Sequence, residues 1–571
     1  MVSTLKVFDH ENKTMGRTEL MSKALAMLSM LLVTASLAGQ EAGSGNQAGS
    51  SVTPAIQQQL DELKTRMDAE HQRIQQLQQQ LVDREHGLQQ LQQEMNGLGG
   101  DAADGSTPTS APASHSRSAT AAATGPNIFD PETPDAIHFR GITLTPGGFF
   151  DMTGIYRTHN ENADVDSTFG GIPFSGTANA HLSEFRGSGR ASRFSLLAEG
   201  KINNWKISGY AEIDFEGAAP TANELESNSF NPRARQLWAQ LQFNNGLSLA
   251  GGQTWSLLTT YRKGIELRQE MVPITIDLQY VAGYNWARQW SFRVTKNFHK
   301  NMWAALAVEN PETSLSVTNP PAGVFGFSSS TNATSPSSVF TLSNTPGANG
   351  ISTDIAPDLI GKLVFEPGWG HYEIKAIGRF FRDRFNGSND RTAGGGGGIG
   401  IILPATKKLD VILEGLVGDG IGRYASGLGP DVTVRPDATI VPLRTLQTMA
   451  GVEWHPTSRW DWYVYGGDEY YSRTSYSNAT GQPVGYGSPL NNNSGCQVES
   501  PTATQPCQAQ TRSLWQVQPG FWYRFYKGSA GTVAMGMSYS YTNRSTWVGL
   551  DSLQPKGIEH TVMTSFRYYL P

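Results

Sequence analysis

Apolar and polar residues alternate without a break from Trp205 to Phe215. Trp205, Ile207, Gly209, Ala211, Ile213 and Phe215 are apolar, and Lys206, Ser208, Glu212 and Asp214 between them are polar. A period of two puts the two sets on opposite faces of a strand. Two similar runs flank it: Phe194, Leu196 and Ala198 alternate with Arg193, Ser195 and Glu199, and Leu237, Ala239, Leu241 and Phe243 alternate with Gln236, Gln240 and Gln242. Asn203-Asn204 and Asn244-Asn245-Gly246 separate the runs, and these residue types accept positive φ and so make hairpin turns. One face of the resulting sheet is charged and Gln-rich, while the other is apolar and ends in aromatics. A membrane barrel, with a wet lumen, lipid outside and aromatics at the interfaces, fits that division better than a soluble sandwich does.

Extended along the chain, the same pattern predicts about sixteen strands, the first near 142–156 and the last near 559–570. Every second connection is tiny, as at 203–204, 244–246, 298–301, 367–370, 404–407, 455–459 and 526–531. The others are expected to be long and polar, among them 310–358, 382–393 and 470–511. Short periplasmic turns and long outer loops are the asymmetry of outer-membrane barrels. The expectation is therefore an all-β fold, a transmembrane antiparallel β-barrel of about sixteen strands over 137–571 in the bacterial outer membrane.

Ahead of the barrel, 23–38 has a basic start, a short apolar stretch, and Ser36 and Ala38 where a signal peptidase reads small residues. Residues 1–38 thus read as an N-terminal extension and signal peptide, and 39–55 as a linker. From 56 to 98 apolar residues step by four and three through Ile56, Leu60, Leu63, Met67, Ile74, Leu77, Leu81, Leu88, Leu91, Met95 and Leu98, with Glu70 and Arg84 in the seam. This heptad pattern predicts an α-helical coiled coil, and the orientation of the barrel puts it in the periplasm. Residues 99–136 are rich in Gly, Ala, Ser, Thr and Pro and read as a flexible linker.

The 571-residue chain carries a net charge of −6, which argues against nucleic acid as a partner. Its sequence holds no G-x-S-x-G, H-E-x-x-H or C-x-x-C motif and no phosphate loop, so no enzymatic activity, cofactor or metal is expected. The run 394–398 is all glycine and leads into a strand, where it reads as close backbone contact within the wall or between protomers. His299, His371 and His455 fall at short turns and read as solvated. Cys496 and Cys507 share one long outer loop, where an oxidising compartment favours a disulfide.

The lumen parity collects Arg193, Lys206, Arg293, Lys375, Arg379, Arg524 and Arg567 with Glu199, Glu212, Asp214, Glu373 and Glu414. Fixed charges in a narrow wet channel orient and sort small charged solutes, although near parity of sign sets no preference. The third outward connection, 256–287, is unusually apolar, with Leu257, Leu258, Tyr261, Ile265, Met271, Ile274 and Ile276 among its residues. A loop of this kind should be buried, and the available space is inside the barrel. Folded inward it narrows the channel and presents Arg262, Lys263, Glu266, Arg268 and Glu270 near the axis; a cap against a neighbouring protomer is the alternative.

The stretches RASRFSLLAEG (190–200), YAEIDFEG (210–217), RQLWAQL (235–241) and GQTWSL (252–257), in this order behind a secretory signal and a coiled coil, resemble the DcaP-like outer-membrane porins. The resemblance covers 137 to the C-terminus plus the stalk. It implies a homotrimer of sixteen-stranded barrels, each passing small anionic organic solutes such as dicarboxylates through an arginine-lined constriction. By that resemblance Arg190, Arg193, Arg235, Arg262, Arg268 and Arg293 are the constriction candidates, and Lys263 of the inward loop and Arg379 of the lumen parity join the solute path by position alone. A phosphate-selective porin, and a plugged barrel serving as an envelope tether or adhesin, are the competing readings.

Overall fold

The computed structural model describes residues 137–217, 231–299, 301–321, 324–325, 340–341, 352 and 354–571, so the expected signal, coiled coil and linkers lie outside the described residues. The wall is built from β1 Ile142–Arg157, β2 Arg193–Ile202, β3 Trp205–Gly217, β4 Asn231–Gln242, β5 Leu247–Trp255, β6 Arg288–Asn297, β7 Met302–Glu309 and β8 Asp358–Phe365. It continues through β9 His371–Phe385, β10 Ser388–Thr406, β11 Leu409–Asp419, β12 Arg444–Thr457, β13 Trp460–Tyr471, β14 Thr511–Gly528, β15 Gly531–Thr546 and β16 Lys556–Tyr569. Each strand pairs antiparallel with its neighbours in sequence, and β16 returns to β1 from Phe149↔Tyr569 to Arg157↔Thr561. Closure leaves no sheet edge in the wall, which a lipid environment requires.

Period-two patterning decides which side meets lipid. On β9, Ile374 is 65% exposed whereas its neighbours Glu373 and Lys375 are 2% and 1% exposed. The greasy parity points outward, and the charged parity is covered from within. Aromatic pairs flank the short turns, with Trp205 against Phe243 at 5.0 Å, Trp369 against Tyr372 at 4.9 Å and Trp460 against Trp462 at 5.4 Å. Amphipathic rings at one rim are the anchor that a membrane interface favours.

One expected long loop is instead a hairpin. Residues 382–393 continue β9 and β10 in register from His371↔Ile402 out to Phe385↔Ser388. Asn386 (φ 46°) and Gly387 (φ 83°) make the turn. An Asn-Gly pair accepts two successive positive φ values, so the strands extend outward instead of giving way to a loop. Elsewhere the outer connections are long and fold on themselves. Glu184–Ser188 returns to pair with the outer half of β1, and Cys496 is bonded to Cys507 within 472–510.

The connection 256–287 lies inside the barrel. Leu257, Leu258, Tyr261 and Ile265 pack against Trp303 of β7, Ile360 of β8, Ile377 of β9 and Leu416 of β11. Met271, Ile274, Ile276 and Tyr284 pack against Met449 of β12, Tyr463 and Tyr465 of β13 and Trp522 of β14. The glycine run acquires a specific reason here: in β10, Gly394, Gly396, Gly398 and Gly400 lie on the parity of Arg379, Ile377, Lys375 and Glu373 across the ladder. A Cβ on Gly400 would stand 2.7 Å from Thr260 Oγ1 of the inward loop. A wall face without side chains thus makes room for the loop and for three charged neighbours.

Candidate functional site

An irregular segment inside a barrel has many backbone groups without ladder partners, and each needs one. The wall supplies them as carboxylates. Leu257 N–H donates to Glu309 at 2.7 Å, Tyr261 N–H to Glu373 at 2.8 Å and Gly264 N–H to Glu366 at 2.6 Å. Gly283 N–H donates to Glu469 at 2.9 Å and Asn285 N–H to Glu414 at 2.7 Å. Buried cations answer the carbonyls: Lys362 Nζ donates to Thr259 O at 2.6 Å, Lys375 Nζ to Leu258 O at 2.7 Å and an Arg293 guanidinium N–H to Trp255 O at 2.8 Å. Lys362 is also ion-paired with Glu373 at 2.6 Å.

The inward loop is therefore clamped onto β7–β14 by charges of both signs. Several positions expected to face solute are consumed in this clamp or under the outer loops. Arg293 is buried and also donates to Tyr261 Oη at 2.5 Å. Arg379 is fully buried, held by Asp358, Asp431 and the carbonyls of Gly420 and Glu312, and it faces protein instead of open water. Its strand position was legible in the sequence, but the outer loops that cover it were not. Arg190 is likewise buried at the outer rim, paired with Asp164 and bonded to Ser188.

On the opposite side of the lumen, lined by β1–β4 and the start of β6, the loop packs mainly through Leu267, set among Leu197, Tyr210 and Trp238, and Tyr280. There Arg235 is itself buried, ion-paired with Glu212 at 2.7 Å and with Asp214 at 2.8 Å, and it donates to Tyr280 Oη of the inward loop at 3.3 Å. Arg233 shares Asp214 at 2.8 Å with its side chain 40% exposed, and Arg193 lies 3.9 Å from Glu212. Arg288 lies over the rings of Trp255 and Trp286, near enough to Arg233 and Arg235 to feel their charge, and its buried Nη1 has no hydrogen-bond partner among the described residues. The loop contributes Arg268, exposed and lying over the inward ring of Tyr210 at 5.0 Å, with exposed Glu266 two residues away. Lys263 is half-buried, and Arg262 is turned to the wall, 2.7 Å from Glu453.

Sequence reading missed Arg233 and Arg288, which stand near outer strand ends where the period-two pattern runs out. It also misplaced two histidines. His371 and His455 are buried, the first between Glu366 and Glu373 at 2.8 and 2.9 Å, the second against Asp461 at 2.6 Å. Both sit on strand positions of inward parity, so adjacency to a turn did not mean exposure.

Comparison with known proteins places this fold. The DcaP outer-membrane channel of Acinetobacter baumannii superposes with a TM-score of 0.52 at 14% identity, over 76% of this chain and 99% of that one. The anion-selective porin from Comamonas acidovorans (TM-score 0.39, 10% identity, 75% and 100% covered) and the Salmonella typhi OmpF complex with daunomycin (0.39, 10%, 76% and 100%) are more remote. No family model matches the sequence, and no curated relative matches it. The likeness to DcaP shows a shared barrel fold, the one the sequence motifs had suggested, and with it a β-barrel of the outer-membrane kind.

Proposed function

We infer that this chain is a trimeric outer-membrane porin for passive diffusion of small anionic organic solutes such as dicarboxylates, with its 56–98 coiled coil in the periplasm. The observation that carries the anion preference is the segregation of charge inside the barrel. Five carboxylates are committed to backbone N–H groups of the inward loop. On the β1–β4 side, four guanidinium groups (Arg193, Arg233, Arg235 and Arg288) are in contact with two carboxylates, Glu212 and Asp214, or with each other's field, while Asp166 and Glu216 stand farther out within reach of Arg233's charge. An excess of fixed positive charge between low-dielectric walls concentrates anions and repels cations. Planar guanidinium forks also match carboxylate geometry better than an ammonium would. The trimer and the solute class are supported by the order of motifs shared with the DcaP-like porins.

The test is the reversal potential of the purified protein in a planar bilayer under a KCl gradient. Wild type should prefer chloride, and Arg288→Ala and Arg233→Ala should each lower the chloride-to-potassium permeability ratio roughly twofold. Succinate should reduce the chloride current more than an uncharged solute of equal size does. A cation-preferring or non-conducting wild type would overturn the reading.

A further inference from the structure

Near the short-turn rim, away from the β1–β4 guanidinium groups, three side chains converge, only one of which, Glu453, is bonded to the inward loop. Asp410 of β11 and Glu453 of β12 are direct cross-strand partners, and His455 follows Glu453 on the same inward parity. One potential ligand atom from each of the three lies within 4.8 Å of the others. Like charges placed directly opposite in a sheet are destabilising. Arg262, bonded to Glu453 Oε1 at 2.7 Å, is a single guanidinium set against both carboxylates.

Hydrogen bonds assign the free atoms. Glu453 Oε1 accepts from both Arg262 and Tyr465 Oη, whereas Oε2 is buried with no partner among the described residues. The His455 Nδ1 edge is bonded to Asp461 Oδ1 at 2.6 Å, and Asp461 is itself held by Arg524. His455 Nε2, also buried and without a hydrogen-bond partner among the described residues, points at Glu453 Oε2 across 3.6 Å. A carboxylate on Nδ1 fixes the tautomer whose Nε2 lone pair is available, the arrangement that orients metal-ligating histidines. Ligand atoms of one tetrahedral ion stand roughly 3.3 Å apart when bonds are near 2.0–2.1 Å. The His455–Glu453 spacing of 3.6 Å is close to that, and half-buried Asp410 completes a trio whose ligand atoms lie within 4.8 Å of one another.

We propose that Asp410, Glu453 and His455 form a divalent transition-metal site of the Zn²⁺ class in the lumen wall. One imidazole with two carboxylates suits a borderline ion, since Ca²⁺ and Mg²⁺ favour all-oxygen sets. Bound there, the ion supplies the positive charge that the Asp410–Glu453 pair lacks and stiffens the wall under Arg262, which anchors the inward loop. The site is independent of which solute the channel carries.

The experiment is calorimetric titration of ZnCl₂ into full-length protein in detergent, purified without a polyhistidine tag. Wild type is compared with His455→Ala and with Asp410→Asn, the latter removing a half-exposed ligand with little demand on folding. Heat-dependent migration on gels checks that each variant is a closed barrel. Saturable uptake of one Zn²⁺ per chain, weakened more than tenfold in both variants, is the expected result. Absence of saturable uptake below millimolar Zn²⁺, which is what an imidazolium simply bridging Asp461 and Glu453 gives, would overturn the proposal. Uptake that either folded variant leaves unchanged would overturn it equally.

Discussion

Single side chains in this lumen act through what covers them. Glu270 sits in the inward loop with one carboxyl oxygen buried and lacking a hydrogen-bond partner among the described residues. Burial pushes its carboxyl from an ordinary 4.5 up to about 7, against the pull of backbone N–H groups and of Arg293. A raised folded value means that the native state holds this proton more tightly than the unfolded chain does. The contribution to stability is therefore full below 4.5 and is lost as pH rises toward 7. The channel follows the same sign: Glu270 is neutral below that range and adds a negative charge above it. Chloride preference should fall between pH 6 and pH 8, and Glu270→Gln should flatten the profile; reversal potentials recorded across that range check it. What the sequence showed of this residue was its place on an apolar loop with charges. The burial that makes it titrate near neutrality comes from neighbours far away in the chain.

Among the elements, the inward loop decides most. Its apolar residues announced that it had to be buried, and closure of the barrel left the lumen as the place. Its seat is set by close backbone approach, which a residue-type pattern does not reveal. Gly283 has φ 79° and passes so near β12 that a Cβ would stand 2.0 Å from Thr448 O. Gly283→Ala must therefore lift this part of the loop from the wall. The expected outcome is a larger single-channel conductance together with a stability loss of about 1–3 kcal/mol, measured by bilayer recording and by the temperature at which the barrel opens in SDS. The 9–10 hairpin teaches the converse lesson. Asn386-Gly387 was a turn signal in plain view, and the neighbouring alternation of Phe381, Asp383 and Phe385 with Arg382 and Arg384 already had strand period. A polar, charged outer strand resembles a loop in composition, and only its pairing from Phe385↔Ser388 inward distinguishes the two.

At the scale of the whole molecule, the closed wall is expected to conduct without the N-terminal segments. Deleting 56–98 should leave the conductance per barrel unchanged, whereas a chain whose work is to tether the envelope would lose its cellular phenotype on that deletion. Recording the truncated protein in parallel with an envelope-integrity assay separates the two. The sequence by itself determined the strands of a lipid-facing wall and the need to bury one loop, because period-two patterning and apolar content are local properties written in consecutive residues. Tertiary structure alone decided which lumen charges meet water. Arg379 and Arg293 share inward parity with Arg193, yet the first two are spent on loops that pack over them. A charge's partner is chosen by contacts across the barrel, and it is folding that sets the guanidinium groups of Arg193, Arg233 and Arg235 around Glu212 and Asp214.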